Sequence, residues 1–189
     1  MQTLFMMLLA LVIQSCKGQD STYFEVQKIS CNVLGYENAG AKIVLKSAPA
    51  TRCSYDPSLF RNRTEYEVFQ MVDELLSYNG DTTLCGLKVN NYNPLRSQIY
   101  MGDDKGYTLQ LEALFIINQL CMSKPFNYSS YPLLYDKNNK SYIHGIEKDA
   151  MSNVYNKYKT WFDEVKNIGL EEALKRNVDP LENSNYRWY

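Results

Sequence analysis

The stretch TLQLEALFIINQLC, residues 108–121, is apolar on nearly all sides when it is wound as a helix. A surface helix carries one apolar stripe, whereas a helix that is apolar all round packs against neighbours on several sides. We therefore predict a helix here, at the centre of the hydrophobic core. The chain around it is long enough for one domain, and no segment is typical of a linker between two domains.

The chain that follows predicts a hairpin and a long helix. Residues 133–145, LLYDKNNKSYIHG, indicate two short strands joined by the DKNNK turn. Apolar side chains then recur every three or four positions from Ile146 to Val165, which predicts a long amphipathic helix. We expect Gly169 to break this helix and Asn177 to end its short continuation.

The chain before the central helix predicts two strands and another helix. Residues 23–46 alternate in part between apolar and polar side chains, which favours two short strands. Thr64 and Glu67 form a predicted capping box at the start of a helix that Asn79 and Gly80 are expected to end. The predicted fold is thus mostly α with short β-strands, an α+β fold, in a single compact domain over residues 23–189.

The N-terminus is typical of a secretory leader. Residues 1–15 carry no charge, and residues 4–13 are an unbroken apolar run that is too short to span a bilayer as a helix. We therefore predict that residues 1–15 are a signal peptide.

The end of this leader, Ile13-Gln14-Ser15-Cys16, resembles the lipobox of bacterial lipoproteins, in which an aliphatic and a small residue precede a cysteine. The resemblance implies that Cys16 is lipidated and that residues 16–22 are the lipidated cysteine and a tether. It also implies a lipid-anchored protein of the bacterial cell envelope, facing the periplasm or the outer surface. The alternatives are ordinary signal-peptide cleavage near Gly18 and a segment that is retained as part of the structure.

The chain has five cysteines, and assigning Cys16 to the lipid leaves an even number for disulfides. Pairing Cys31 with Cys53 and Cys85 with Cys121 closes short sequence loops, and it is the pairing we favour. The alternative is that Cys121, which lies in an apolar run, is a buried thiol that behaves as a small hydrophobic side chain.

The sequence lacks the residues that several classes of function require. His144 is the only histidine, so a multi-histidine zinc site is excluded and any Ser-His or Cys-His pair would need this residue at a strand end. There is no nucleophile elbow and no glycine-rich phosphate loop. The formal net charge of −1 lacks the basic excess that is typical of nucleic-acid-binding proteins, so we predict no nucleic-acid partner. We predict no catalytic residue, no metal and no cofactor, although a carboxylate pair assembled only by the fold remains an alternative.

The tail Asn185-Tyr186-Arg187-Trp188-Tyr189 carries three aromatic side chains and one cation. In one interpretation, Trp188 folds back against the helix that carries Trp161 and fixes the terminus. In the other, Tyr186, Arg187, Trp188 and Tyr189 contribute to a partner-binding patch of the kind found at interface hot spots.

Residues 157–173, KYKTWFDEVKNIGLEEA, and 179–189, DPLENSNYRWY, are similar to immunity lipoproteins encoded beside bacterial toxin genes. This resemblance implies non-enzymatic binding of an envelope-acting toxin, and it assigns no site residue. Sixteen tyrosines suit protein or carbohydrate contacts, and a genomic base bias toward Asn, Lys and Tyr codons is the alternative explanation. The alternatives are a carbohydrate- or envelope-binding module, a hydrolase with a carboxylate pair, and a secreted eukaryotic glycoprotein. The sequons that favour the last begin at Asn62, Asn127 and Asn139.

Overall fold

The described residues form an α+β fold with two small sheets, as the sequence predicts. The predicted signal peptide and Cys16 lie outside them, as do Cys53, Asn127 and Tyr189. The computed structural model describes residues 22–33, 36–47, 62–88, 106–121 and 132–188.

The first sheet begins with the two predicted strands, which pair as an antiparallel hairpin in continuous register. The second of them runs parallel to the third strand and pairs with it at Ala41 and Cys85. The two backbones approach closely there, because a Cβ atom added to Gly40 would lie 2.5 Å from the Cα atom of Gly86. The turn-rich sequence before Gly106 did not indicate the third and fourth strands. The strands, in their order across the sheet, are β1 (Phe24–Val33), β2 (Tyr36–Leu45), β3 (Leu84–Lys88) and β4 (Gly106–Thr108).

Helix α1 (Glu65–Leu76) begins at the predicted capping box. The Glu67 backbone N–H donates to Thr64 Oγ1 over 3.3 Å, and the Thr64 backbone N–H donates to Glu67 Oε2 over 2.8 Å. The helix ends before the predicted stop, and a turn leads to Gly80, whose φ of +92° suits glycine.

Helix α2 (Leu109–Cys121) is the centre of the core, as predicted. Every residue in it except Leu120 is buried, including the polar residues Gln110, Glu112 and Asn118. The all-round apolar pattern therefore identified the position of this helix correctly. Thr108, which the pattern included, belongs to strand β4.

The second sheet contains the predicted hairpin and a third strand from the tail, in the order β6-β5-β7, with both pairs antiparallel. Asp136 closes the hairpin turn, since its side chain accepts the backbone N–H groups of Asn138 and Asn139 over 2.8 and 3.2 Å. The three strands are β5 (Leu134–Asp136), β6 (Ser141–Ile143) and β7 (Tyr186–Trp188).

The long amphipathic helix is α3 (Lys148–Ile168), and its continuation is α4 (Leu170–Arg176). Gly169, with a φ of +86°, breaks the helix and Asn177 ends α4 in the left-handed conformation, as predicted. Ile146 does not belong to the buried face, because it precedes the helix and is 64% exposed. The buried face of α3 consists of Met151, Val154, Tyr155, Tyr158, Trp161, Phe162 and Val165.

Candidate functional site

The predicted Cys85–Cys121 disulfide is not present, and both residues are buried thiols. The Cys85 thiol is hydrogen bonded to the carboxyl of Glu112. Cys121 lies nine residues after Glu112 in α2, so the Cα atoms of Glu112 and Cys121 are about 14 Å apart at a rise of 1.5 Å per residue. The Cα atoms of disulfide-bonded cysteines lie within about 7 Å of each other. Burial raises the pKa of Cys121 to about 12, in agreement with the buried-thiol interpretation. The Cys31–Cys53 pairing stays a prediction, because Cys53 lies outside the described residues.

Glu112 lies at the point where the hairpin meets α2, and its side chain is 0% exposed. Its Oε2 atom accepts the backbone N–H of Ile43 over 3.0 Å. The buried side chain of Lys42 and the Cys85 thiol also face this carboxyl. Among the described residues, no group donates a hydrogen bond to its Oε1 atom. We call Glu112, Lys42, Ile43 and Cys85 the Glu112 joint.

The environment of Glu112 changes its protonation. Burial raises its pKa from the ordinary 4.5 to about 7, against the lowering effects of the Lys42 charge, the Ile43 N–H and the Cys85 thiol. A carboxyl with such a pKa suits general acid–base chemistry only where a substrate can reach it. This one is enclosed, and it connects strand β2 to helix α2.

A second carboxylate fixes the start of the hairpin. Glu74, in α1, accepts the backbone N–H groups of Thr22, Tyr23 and Phe24 over 3.1, 2.9 and 2.8 Å. The Tyr23 hydroxyl donates to Gln70 Oε1 over 2.8 Å. The place where the chain enters the domain is therefore set by α1.

The inner face of the second sheet packs on the core. Leu134 pairs with Ile143 on one side and with Trp188 on the other, and Leu134 and Ile143 are buried. The Trp188 Nε1–H donates to the Tyr158 hydroxyl of α3 over 2.8 Å. This contact confirms the interpretation in which Trp188 folds back against the helix that carries Trp161. We call Ile143, Leu134 and Trp188 the inner row.

The outer face of the same sheet carries two tyrosines and an arginine. Tyr135 pairs with Tyr142 on one side and with Arg187 on the other. The tyrosine rings form an edge-to-face pair with centroids 5.3 Å apart. The Arg187 guanidinium lies 5.1 Å from the centroid of the Tyr135 ring, a cation–π contact. We call Tyr142, Tyr135 and Arg187 the Tyr–Tyr–Arg row.

The surroundings of the Tyr–Tyr–Arg row are basic. Arg187 is exposed, and Lys137 and Lys140 are exposed in the hairpin turn of the same sheet. No carboxylate in the described part of the chain forms a salt bridge with Arg187. Asp136 is turned into the hairpin turn, where backbone N–H groups satisfy it. The row thus offers aromatic area and hydrogen-bond donors to an acidic surface.

Of the four residues that the sequence predicts as a binding patch, Arg187 lies in this row, and its role in binding stays a prediction. Trp188 points to the core, Tyr186 is half-buried, and Tyr189 lies outside the described residues. Tyr135 and Tyr142 were missed. They occupy the middle positions of the two strands of the predicted hairpin, but the sequence did not indicate the strand that places Arg187 beside them.

A cleft of about 470 Å³ lies between the turn after α1 and the start of α3. Gln110 crosses its base, since its Oε1 accepts the Gly80 N–H over 2.9 Å and its Nε2 donates to the Gly145 carbonyl. The cleft lining is completed by Asn79, Thr82, Ile146, Lys148, Met151 and Ser152.

Residues 52–189 match the model of a protein family described as a domain of unknown function, DUF4943. The chain belongs to the DUF4943 family. The matched DUF4943 region includes α1 to α4, the Tyr–Tyr–Arg row and Glu112, and it begins after the β1–β2 hairpin. We found no match among curated proteins and none among solved structures.

The described residues contain neither a metal-binding cluster nor a membrane-spanning helix. Within the described ranges, no group of three or more potential ligands could hold a metal ion. In the same ranges, no helix has both the length and the apolar character that crossing a bilayer requires.

Proposed function

We propose that this DUF4943 protein is a lipid-anchored protein of the bacterial cell envelope that acts by non-enzymatic protein binding. The Tyr–Tyr–Arg row is its contact surface in this proposal. The sharper form is immunity, in which the row contacts a toxin that acts in the envelope.

The arrangement of the Tyr–Tyr–Arg row is the observation that supports binding. Tyrosine and arginine are enriched among the residues that dominate interface energies. The sheet fixes all three side chains in one line, so little conformational freedom remains to be lost when a partner docks. Because Arg187, Lys137 and Lys140 are all cationic, the expected partner presents an acidic protein surface.

The first experiment tests the proposed lipidation of Cys16, on which the proposed location in the cell envelope depends. Mass spectrometry of the natural protein is expected to show a diacylglycerol thioether on Cys16 at the mature N-terminus. An unmodified Cys16 thiol, or a terminus further along the chain, would contradict the lipoprotein proposal. N-linked glycan at Asn62 or Asn139 would instead favour the secreted eukaryotic glycoprotein.

The second experiment tests the proposed surface. We expect the immobilised mature protein to retain an acidic protein from envelope extracts or from lysates of cells that express the neighbouring genes. The retained protein should be released at high salt. The double variant Tyr135→Ala/Arg187→Ala should lose this protein. Tyr66→Ala, which removes an exposed tyrosine from the start of α1, is the matched control and should retain it. Retention of a polysaccharide but no protein would contradict protein binding and favour the carbohydrate-binding alternative.

A further inference from the structure

The three hydrogen bonds to Glu74 fix the place at which the chain that follows Cys16 enters the domain. They fix Thr22, Tyr23 and Phe24 against α1, so the chain enters the domain at a defined place. This inference rests on the proposed lipidation of Cys16. From Cys16 to Thr22 there are six residue steps, which reach at most about 20 Å when fully extended. The end of the domain that carries Glu74 is therefore close to the lipid surface.

The end of the domain that carries Glu74 is formed by the C-terminus of α1 and the start of α3. Glu74 lies in the C-terminal half of α1, and the turn after α1 borders the cleft together with Ile146 and Lys148 from the start of α3. At the opposite end of α1, Glu65 Oε2 accepts the Leu170 N–H of α4 over 2.7 Å. The C-terminus of α1 and the N-terminus of α3 thus share the end at which the chain enters.

Two large apolar side chains are exposed at this end. Ile146 is 64% exposed and Leu84 is 60% exposed. They are connected through strand β4, because Leu84 pairs with Thr108 and the Thr108 N–H donates to the His144 carbonyl over 3.0 Å. Exposed apolar side chains beside a lysine suit the boundary between lipid headgroups and acyl chains.

We propose that this end of the domain rests on the membrane, with Ile146 and Leu84 in contact with the lipid surface and Lys148 among the phosphates. Asp81 and Asp149 lie at the same end and disfavour a strongly anionic surface, so zwitterionic lipid is the expected partner.

The proposed orientation also determines what the Tyr–Tyr–Arg row faces. Strand β6 runs from the hairpin turn towards Gly145, whose carbonyl is held by Gln110 at the membrane end. The turn with Lys137 and Lys140 lies at the other end of that strand. The basic end of the second sheet is therefore directed away from the lipid, where a protein in the periplasm or at the cell surface can reach it.

Hydrogen exchange with mass spectrometry tests this orientation on the full mature protein. The natural lipidated protein on phosphatidylethanolamine-containing zwitterionic vesicles is compared with the Cys16→Ser protein beside the same vesicles. We expect several-fold slower exchange on the vesicles in peptides that cover residues 81–86 and 144–152. Peptides that cover residues 62–68, at the far end of α1, should exchange equally in both samples.

Matched variants separate lipid contact from simple tethering. Leu84→Ser/Ile146→Ser should remain anchored but lose the protection, whereas Tyr66→Ser, with a 69% exposed side chain at the far end of α1, should retain it. Thermal unfolding of the variants reports whether each one is folded. Lipidated protein without protection at residues 81–86 and 144–152 would overturn this inference and leave the proposed function intact. Absence of lipid on Cys16 would contradict the proposed function itself.

Discussion

The Glu112 joint and the second sheet both contain polar side chains, but they differ in what those side chains can reach. At the joint, the carboxyl of Glu112 is enclosed between β2, β3 and α2. On the second sheet, the Tyr–Tyr–Arg row lies on the outer face, while the inner row packs on Phe115 and Tyr158. The carboxyl with a raised pKa is thus a structural connection, and the candidate binding surface consists of two half-buried tyrosines and an exposed arginine.

The comparison predicts a separation of effects. Substitutions in the Glu112 joint or the inner row should change the free energy of unfolding and leave partner binding intact. Substitutions in the Tyr–Tyr–Arg row should weaken partner binding and change the free energy of unfolding much less than substitutions in the Glu112 joint or the inner row do.

Leu134→Ala should have the largest effect on stability. Leu134 is fully buried in the middle of the inner row, so its truncation leaves a cavity between the sheet and the core. Such substitutions typically reduce the free energy of unfolding by about 2 to 5 kcal/mol. Urea unfolding followed by circular dichroism measures the change. A loss as small as that of an exposed residue would show that the inner row does not pack as described.

Glu112 should make the stability depend on pH. Its pKa is raised to about 7 in the folded protein, so the folded state favours the protonated form. Its contribution is fully present below the unfolded pKa of about 4.5 and is lost as pH rises through about 7. At about 1.4 kcal/mol for each pKa unit, the loss is about 3 kcal/mol.

Glu112→Gln provides the control for this pH effect. Glutamine still has an oxygen that can accept the Ile43 N–H, but it does not titrate. Measured across pH 4 to 8, the stability of the wild type should fall relative to that of Glu112→Gln as the pH rises. Parallel stability curves for the two proteins would mean that Glu112 is not buried in the protonated form.

Tyr158→Phe should have a smaller effect, from a pair of hydrogen bonds behind the inner row. The Tyr158 hydroxyl donates to Asn118 Oδ1 over 2.6 Å and accepts the Trp188 Nε1–H. Removing it leaves two polar groups without this partner, at a cost of about 1 to 3 kcal/mol. Chemical denaturation quantifies the cost, and Tyr66→Phe on the surface should be neutral. If Tyr158→Phe were also neutral, Trp188 would not be fixed to α3 as described.

Much of the fold was predictable because its signals are local. The all-round apolar pattern of residues 109–121, the Thr64–Glu67 capping box and the hairpin turn each depend on neighbours within a few positions. Strand β3 and strand β7 are short, and each is defined by pairing with residues far away in the sequence. The local sequence pattern therefore could not identify these two strands.

The site was less predictable for the same reason. The short sequence loop between Cys85 and Cys121 suggested a disulfide, but the fold directs Cys85 to Glu112 instead. The aromatic tail suggested that Arg187 and Trp188 act together, but alternation along β7 places them on opposite faces. Glu112 is a single acid within an apolar run, so no motif in the sequence indicates its role.

Arg187→Ala combined with Tyr135→Ala should have the smallest effect on stability, about 1 kcal/mol, because Arg187 is exposed and the half-buried Tyr135 loses only its cross-strand contacts. Its effect on binding is the central test of the proposal. The measurement is the affinity of the captured partner for this double variant and for Glu112→Gln, alongside the unfolding free energy of both. We expect the row variant to bind at least about tenfold more weakly, equivalent to 1.4 kcal/mol, while Glu112→Gln binds like the wild type. Unchanged affinity in the row variant would contradict the account, whatever the affinity of Glu112→Gln.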